Sequence, residues 1–136
     1  MSKPMSMVFV LGIVTLGCAS AGSQNLAGSE WRPLTLNGAD ADPAVEQFVR
    51  FESDGKLVGA GGCNNFFGSY ELEDDTIELS PLGMTRKMCS EPVMDAELAL
   101  VNVLQKARSV QRQETELGLY DEQGQLVGSF RQTDWD

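Results

Sequence analysis

From Leu26 onward, apolar and polar residues alternate with a period of two over most of the chain, the mark of half-buried β-strands. Trp31-Arg32-Pro33-Leu34-Thr35-Leu36 predicts a first strand, stopped by the turn pair Asn37-Gly38, and Gly38–Pro43 predicts a loop. Phe48–Phe51 and Lys56–Gly59 flank Asp54-Gly55, residues that accept the positive φ a tight hairpin demands. Ser69–Glu73 and Thr76–Leu79 flank Asp74-Asp75 in the same way and leave one face wet. Near the C-terminus, Glu116–Tyr120 and Gln125–Phe130 make a third hairpin around Asp121–Gly124.

The period changes once. Over Pro92–Ala107, Met94, Leu98, Val101 and Leu104 fall at helical spacing, and Ala96, Leu100, Val103 and Ala107 form an adjoining stripe. Ser90 stands where a helix N-cap is wanted, Glu91 and Pro92 suit the first turn, and Lys106 and Arg108 suit the other end of the dipole. Strands, one helix, then strands again predict a single α+β domain: a mostly antiparallel, strongly curved sheet with one main helix packed on it.

Residues before Leu26 read differently. MSKPMSM carries one cation, the apolar run Val8–Gly17 follows, and a cluster of small residues begins at Cys18. That order describes an export signal, and the run is shorter than the ~20 residues a spanning helix takes. Thr15-Leu16-Gly17-Cys18 resembles a bacterial lipobox, with Thr15 where an aliphatic residue is usual. The expectation is a signal segment and cleavage region over 1–21, lipid attachment at Cys18, a short tether over 22–25 and a folded domain over 26–133. Ala19 after the cysteine is similar to lipoproteins of the outer membrane, which would place the domain on its periplasmic face. The alternative is cleavage after Ala21 and a soluble periplasmic product.

Composition then removes whole classes of chemistry. Lys and Arg number 10 against 20 Asp and Glu, a net charge of −10, so nucleic acid is excluded as a partner. Histidine is absent, which excludes Ser-His-Asp and Cys-His catalysis and imidazole zinc sites. The acidic run Glu71, Glu73, Asp74, Asp75 fits a hairpin tip and lacks the spacing of a calcium loop. No catalytic residue, metal ligand set or cofactor is assigned.

Gly59-Ala60-Gly61-Gly62-Cys63-Asn64-Asn65-Phe66-Phe67-Gly68-Ser69-Tyr70 is the most distinctive stretch. With the entry segment Leu26–Trp31, the hairpin Phe51–Gly55, the segment Leu82–Cys89 and the pair Met94 and Glu97, it resembles the META domain of the HslJ-like group. Gly62, Cys63, Asn64, Gly68, Tyr70, Thr85 and Cys89 stand at the signature positions. The resemblance implies a small α+β domain in envelope proteins or lipoproteins, with loose links to heat stress and drug tolerance. It brings no catalytic residue, ligand or oligomeric state.

Three cysteines remain to be placed. If Cys18 takes lipid, Cys63 and Cys89 are left as a pair in a compartment that permits a disulfide. Such a bridge stabilises by about 3–4 kcal/mol in the chain-entropy model. Free buried thiols or active thiol chemistry are the alternatives, the latter short of a base, since only Lys87 or a carboxylate is at hand. Gly59, Gly61 and Gly62 suit a bulge or close backbone approach, and Asn64 and Asn65 suit an Asx turn. Phe66 and Phe67 point to opposite sides of an extended segment, so one faces outward. With Arg86 they form the candidate binding patch, core burial being the alternative for the rings and pairing with a local acid for the arginine. The functional expectation is a non-catalytic lipoprotein, held to the membrane through Cys18, that binds or assembles with an envelope protein. The alternatives are a carrier of a small apolar ligand within the curved sheet, and a hydrolase or isomerase using paired carboxylates.

Overall fold

The computed structural model describes residues 24–133 together with Gly12. The expected signal segment, the lipid cysteine Cys18 and the first half of the tether lie outside the described residues. The elements are β1 (Ser29–Leu36), β2 (Ala39–Asp40), β3 (Phe48–Phe51), β4 (Lys56–Ala60), β5 (Asn65–Glu73), β6 (Thr76–Leu79), β7 (Gly83–Met84), α1 (Glu91–Lys106), β8 (Ser109–Gln113), β9 (Glu116–Tyr120) and β10 (Leu126–Thr133).

Every strand pairing is antiparallel, and the order β1-β3-β4-β5-β6-β8-β9-β10 returns to β1, so eight strands form a ring. The expected strongly curved sheet is therefore a closed barrel, within an α+β domain of one helix as expected. The strand that closes it is β8, which the sequence pattern does not announce. Val110 is its one fully apolar position, and its turn into β9 places Glu114 at φ 55 with no glycine to signal it. The remaining turns follow their sequence signals, with Asn37, Gly38, Gly55, Asp74 and Gly124 all at positive φ.

Closure is uneven around the ring. β1 and β10 pair over most of their length, from Glu30↔Thr133 to Leu36↔Gly128. β6 and β8 share one ladder pair, Thr76↔Ser109, flanked by Ile77 N–H to Arg108 O at 2.9 Å and Val110 N–H to Asp75 O at 2.8 Å. Past the tip of the β5–β6 hairpin, β8 is met instead by the chain entry. Gln24 Oε1 accepts from Arg112 N–H at 2.6 Å, and the Arg112 guanidinium donates to Asn25 O and to Gln132 Oε1.

Inward-facing residues of the barrel make the core. Trp31, Phe51, Phe66 and Phe130 are at most 1% exposed, and the Trp31 indole N–H donates to Ser29 Oγ at 2.7 Å, so no polar atom of the ring is stranded. The helix lies across the rim at which β4 ends and β5 begins, and lowers Leu100, Val103 and Leu104 into the interior. Its inner stripe runs Glu97, Leu100, Val101, Leu104, one residue away from the expected Leu98, which is 68% exposed. A stripe read from apolarity alone misses Glu97, because a buried carboxylate holds a place that hydrophobic spacing assigns to its neighbour. Ser90 is the N-cap as expected, but its side chain makes no capping bond; its carbonyl accepts from the Val93 and Met94 N–H groups.

Candidate functional site

Where β4 leaves the barrel, Gly61 and Gly62 carry the chain under the helix. A Cβ on Gly61 would sit 2.3 Å from Glu97 Cγ, so only glycine lets the carboxylate reach the backbone there. Gly62 takes φ 117, and its Cβ would lie 2.5 Å from Val45 Cγ1. These are contact requirements of the turn, which sharpens the expectation of a bulge into two specific close approaches.

The turn delivers three N–H donors to one acid. Glu97 Oε1 accepts from the backbone N–H groups of Cys63 and Asn64, and Oε2 accepts from Asn64 Nδ2 at 2.8 Å. Asn64 is itself buried and spans to the segment before the helix: Nδ2 donates to Lys87 O at 3.1 Å, and Oδ1 accepts from Lys87 N–H at 2.6 Å and Thr85 Oγ1 at 2.9 Å. Thr85 Oγ1 accepts in turn from Asn65 N–H. Gln47 Nε2 adds a bond to Gly61 O and one to Ala96 O, each at 2.9 Å. The Asx turn expected at Asn64 is thus a cross-link between segments distant in sequence. A local turn would bury the amide with half its hydrogen bonds unmade, whereas this arrangement satisfies every one of its sites.

The disulfide joins Cys63 to Cys89, with Cα atoms 5.9 Å apart. It closes the same segment from its far end, so Thr85–Cys89 is held by a covalent bond and by the Asn64 network together. Signature residues Gly62, Cys63, Asn64, Thr85 and Cys89 meet in this clip. Gly68 and Tyr70 do not: Gly68 lies against Ser80 and Leu82, and Tyr70 donates from its hydroxyl to Glu52 O at 2.7 Å and packs edge-on against Phe51. Burial, and secondarily the nearby Asp54 carboxylate, raise the Tyr70 hydroxyl pKa above its ordinary value.

Of the candidate patch, Phe66 drops out. It is 1% exposed, because β5 already runs extended at Asn65 and turns this side chain to the barrel interior, where its ring fills the place a Gly59 Cβ would take. Phe67 faces outward, 54% exposed, with its ring against Gly83 of β7. Around it lies a shallow depression of ≈ 670 Å³ whose wall includes Met84, Arg86, Met88 and Met94. Met88 is 86% exposed, and Arg86 and Lys87 make no ion pair among the described residues. The methionines were not foreseen as part of a site, though their crowding at Met84, Met88 and Met94 was visible in the sequence.

The described residues offer little to the alternative chemistries. Among them Glu97 is the one buried acid, and its oxygens are taken up by the clip; no group of acids and cysteines has the geometry of a metal site. The space between Trp31, Phe51, Leu104 and Phe130 in the barrel centre leaves ≈ 0 Å³ for a molecule even the size of water, so side chains fill the interior a carried ligand would need.

Three solved structures share this architecture. One, known by an NMR structure, is 20% identical with a TM-score of 0.62 and covers 78% of this chain and 90% of its own. A protein from Burkholderia xenovorans, also an NMR structure, is 24% identical with a TM-score of 0.59, covering 81% and 85%. A crystal structure of a duf4847 family protein from Bacteroides vulgatus is 16% identical with a TM-score of 0.54, covering 82% and 96%. At these identities the likeness is one of fold. No curated protein matches the chain. The family model of the META domain matches residues 24–134, from the pinned entry segment through the last strand, and with the signature residues gathered at the clip the chain belongs to the META domain family.

Proposed function

We propose that the protein is a non-catalytic, lipid-anchored envelope domain that binds another protein through the Phe67–Met88 face. The observation that carries this reading is the pairing of exposed apolar side chains with a rigid support. Phe67 and Met88 stand in solvent, while the segment bearing Met88 is fixed by the disulfide and by Asn64. Exposed aromatic and methionine side chains are an adaptable docking surface, and a pre-ordered one loses little entropy on binding. Arg86 and Lys87, standing out from a chain of net charge −10, favour a partner segment that is apolar and acidic.

The anchor supports the same orientation. Cys18 would hold the chain near Gln24, at the rim where Arg112 pins the entry. Phe67 lies toward the other end of β5, whose nine residues span about 30 Å. A tether from Cys18 to Gln24 reaches about 20 Å at full extension. A membrane-held domain therefore presents the Phe67 face to the periplasm. Links to heat stress or drug tolerance belong to this proposal as contexts for the partner.

A photo-reactive amino acid in place of Phe67, expressed in the native envelope, tests the face. The expected result is one stoichiometric protein adduct, lost when Met88→Asp is added. Adducts with lipid alone, or a protein adduct indifferent to Met88, would overturn it. Mass spectrometry of the mature N-terminus tests the anchor: a diacylglyceryl Cys18 is expected, and a soluble product beginning at Gly22 would sink it.

A further inference from the structure

The barrel is incompletely sewn at one place, far from the Phe67 face in its chemistry. Beyond the single pair Thr76↔Ser109, no described strand pairs with β6 on the side away from β5. The backbone groups left there can be named. Ser80 N–H donates to Ser69 O, while Tyr70 N–H turns away to Gly55 O, so Tyr70 and Leu79 face each other as a non-hydrogen-bonded pair. The Leu79 N–H and C=O therefore project outward, on the side where Ile77 N–H reaches Arg108 O. They open into a groove of ≈ 410 Å³ between β6 and the end of the helix, where Leu79 and Leu82 are partly exposed. Pro81 ends the edge, having no N–H to offer.

We propose that this edge is a docking site for an extended, basic segment of another protein, which joins the barrel as an added strand. An open strand edge pairs with any suitable backbone, and the flanking side chains decide which one. Here the flanking charges are acidic. Glu78 projects from the edge strand, Glu71 stands directly across from it on β5, and Glu73, Asp74 and Asp75 continue the stripe to the hairpin tip. All five are exposed, and none has an ion-pair partner among the described residues. The Glu71–Glu78 pair puts like charges side by side, a local destabilisation that lysines on an incoming strand relieve. Arg108 at the groove's end has Nη1 engaged by Gln105 O and Ala107 O, closing the helix terminus.

The same charges argue against a second copy of this chain. The antiparallel register that sets the Leu79 N–H of each copy on the Ile77 carbonyl of the other places Glu78 against Glu78 in a non-hydrogen-bonded pair, where side chains come closest. A basic strand with apolar residues on alternate positions avoids that repulsion: its lysines meet Glu78 and Glu71, and its apolar face covers the exposed parts of Leu79 and Leu82.

The test uses the purified protein and a synthetic heptapeptide of alternating valine and lysine, with a backbone N-methylated version as control. Binding should slow exchange of the Leu79 amide at least about tenfold, and the N-methylated peptide should bind at least about tenfold more weakly. Glu78→Lys, a surface change that leaves the core untouched, should exchange the preference for the lysine peptide for one containing glutamate. Equal affinity of the N-methylated peptide would overturn the proposal. So would a Leu79 amide already protected in the free monomer, since the chain's own residues would then cover the edge, and so would a dimer in sedimentation with that amide protected. Shifts confined to Phe67, Met84 and Met88 would move the peptide to the other face and overturn it as well.

Discussion

Glu97 shows how one residue converts a turn into a fixed platform. It is the buried end of a network in which two backbone N–H groups and the Asn64 amide all donate to its carboxylate. Replacing it with glutamine turns one acceptor into a donor that faces the Asn64 N–H₂. Glu97→Gln should therefore destabilise by about 1–3 kcal/mol in urea denaturation, with no change in helix content, since a glutamine is as good a helix former. Asn64→Asp would repel Glu97 at the same place. Tyr70 gives a second residue-scale expectation. Its folded-state pKa lies above the ordinary 10.0, so the unfolded chain releases the phenolic proton first as pH rises. The stability it contributes is whole below about pH 10 and is lost as pH climbs through the folded value. Tyr70→Phe should flatten that alkaline decline in a pH series of denaturant midpoints, leaving the acid side unchanged. Neither network was legible in the sequence. Glu97 enters the family resemblance only with Met94, as part of the helix start, and nothing local says that an acid on a helix will find a donor 33 residues upstream.

At the scale of elements, the strands that alternate cleanly were legible and the ones that do not were missed. β3, β6 and β9 fall on the expected residues, because each has two or more apolar side chains on its inner face and a conventional turn beside it. β8 escapes notice because its stability comes from neighbours: ladder bonds to β9 on one side and the chain entry at Gln24 on the other. A strand held that way needs little apolarity of its own. The loop between β7 and α1 is the other irregular element, and its cross-link decides a measurable quantity. Cys63 and Cys89 stand 26 positions apart, so the double Cys→Ala variant should lose about 2–4 kcal/mol. The folded variant should keep the amide resonances of Lys87 and Asn65 in place, since Asn64 and Thr85 hold that segment from its other end. A loop released altogether would contradict the double fastening.

Taken whole, the molecule differs from its sequence reading in one respect that matters: eight of the described strands close into a ring, whose thinnest seam is between β6 and β8. Curvature was expected, and closure was not, because closure depends on a ring of pairings between strands at opposite ends of the chain. The most extensive of these, β1 with β10, also settles where the chain enters and leaves. Glu30 lies directly opposite Thr133, whose hydroxyl donates to the Glu30 carboxylate at 2.9 Å. The start of β1 and the end of β10 thus stand one strand spacing apart, at the rim away from the helix. A domain built this way is a plug-in unit: spliced into a surface loop of a host protein, it would need almost no linker on either side. It would leave the host's loop ends as close together as it found them, with the clip and its methionine face held out at the far pole.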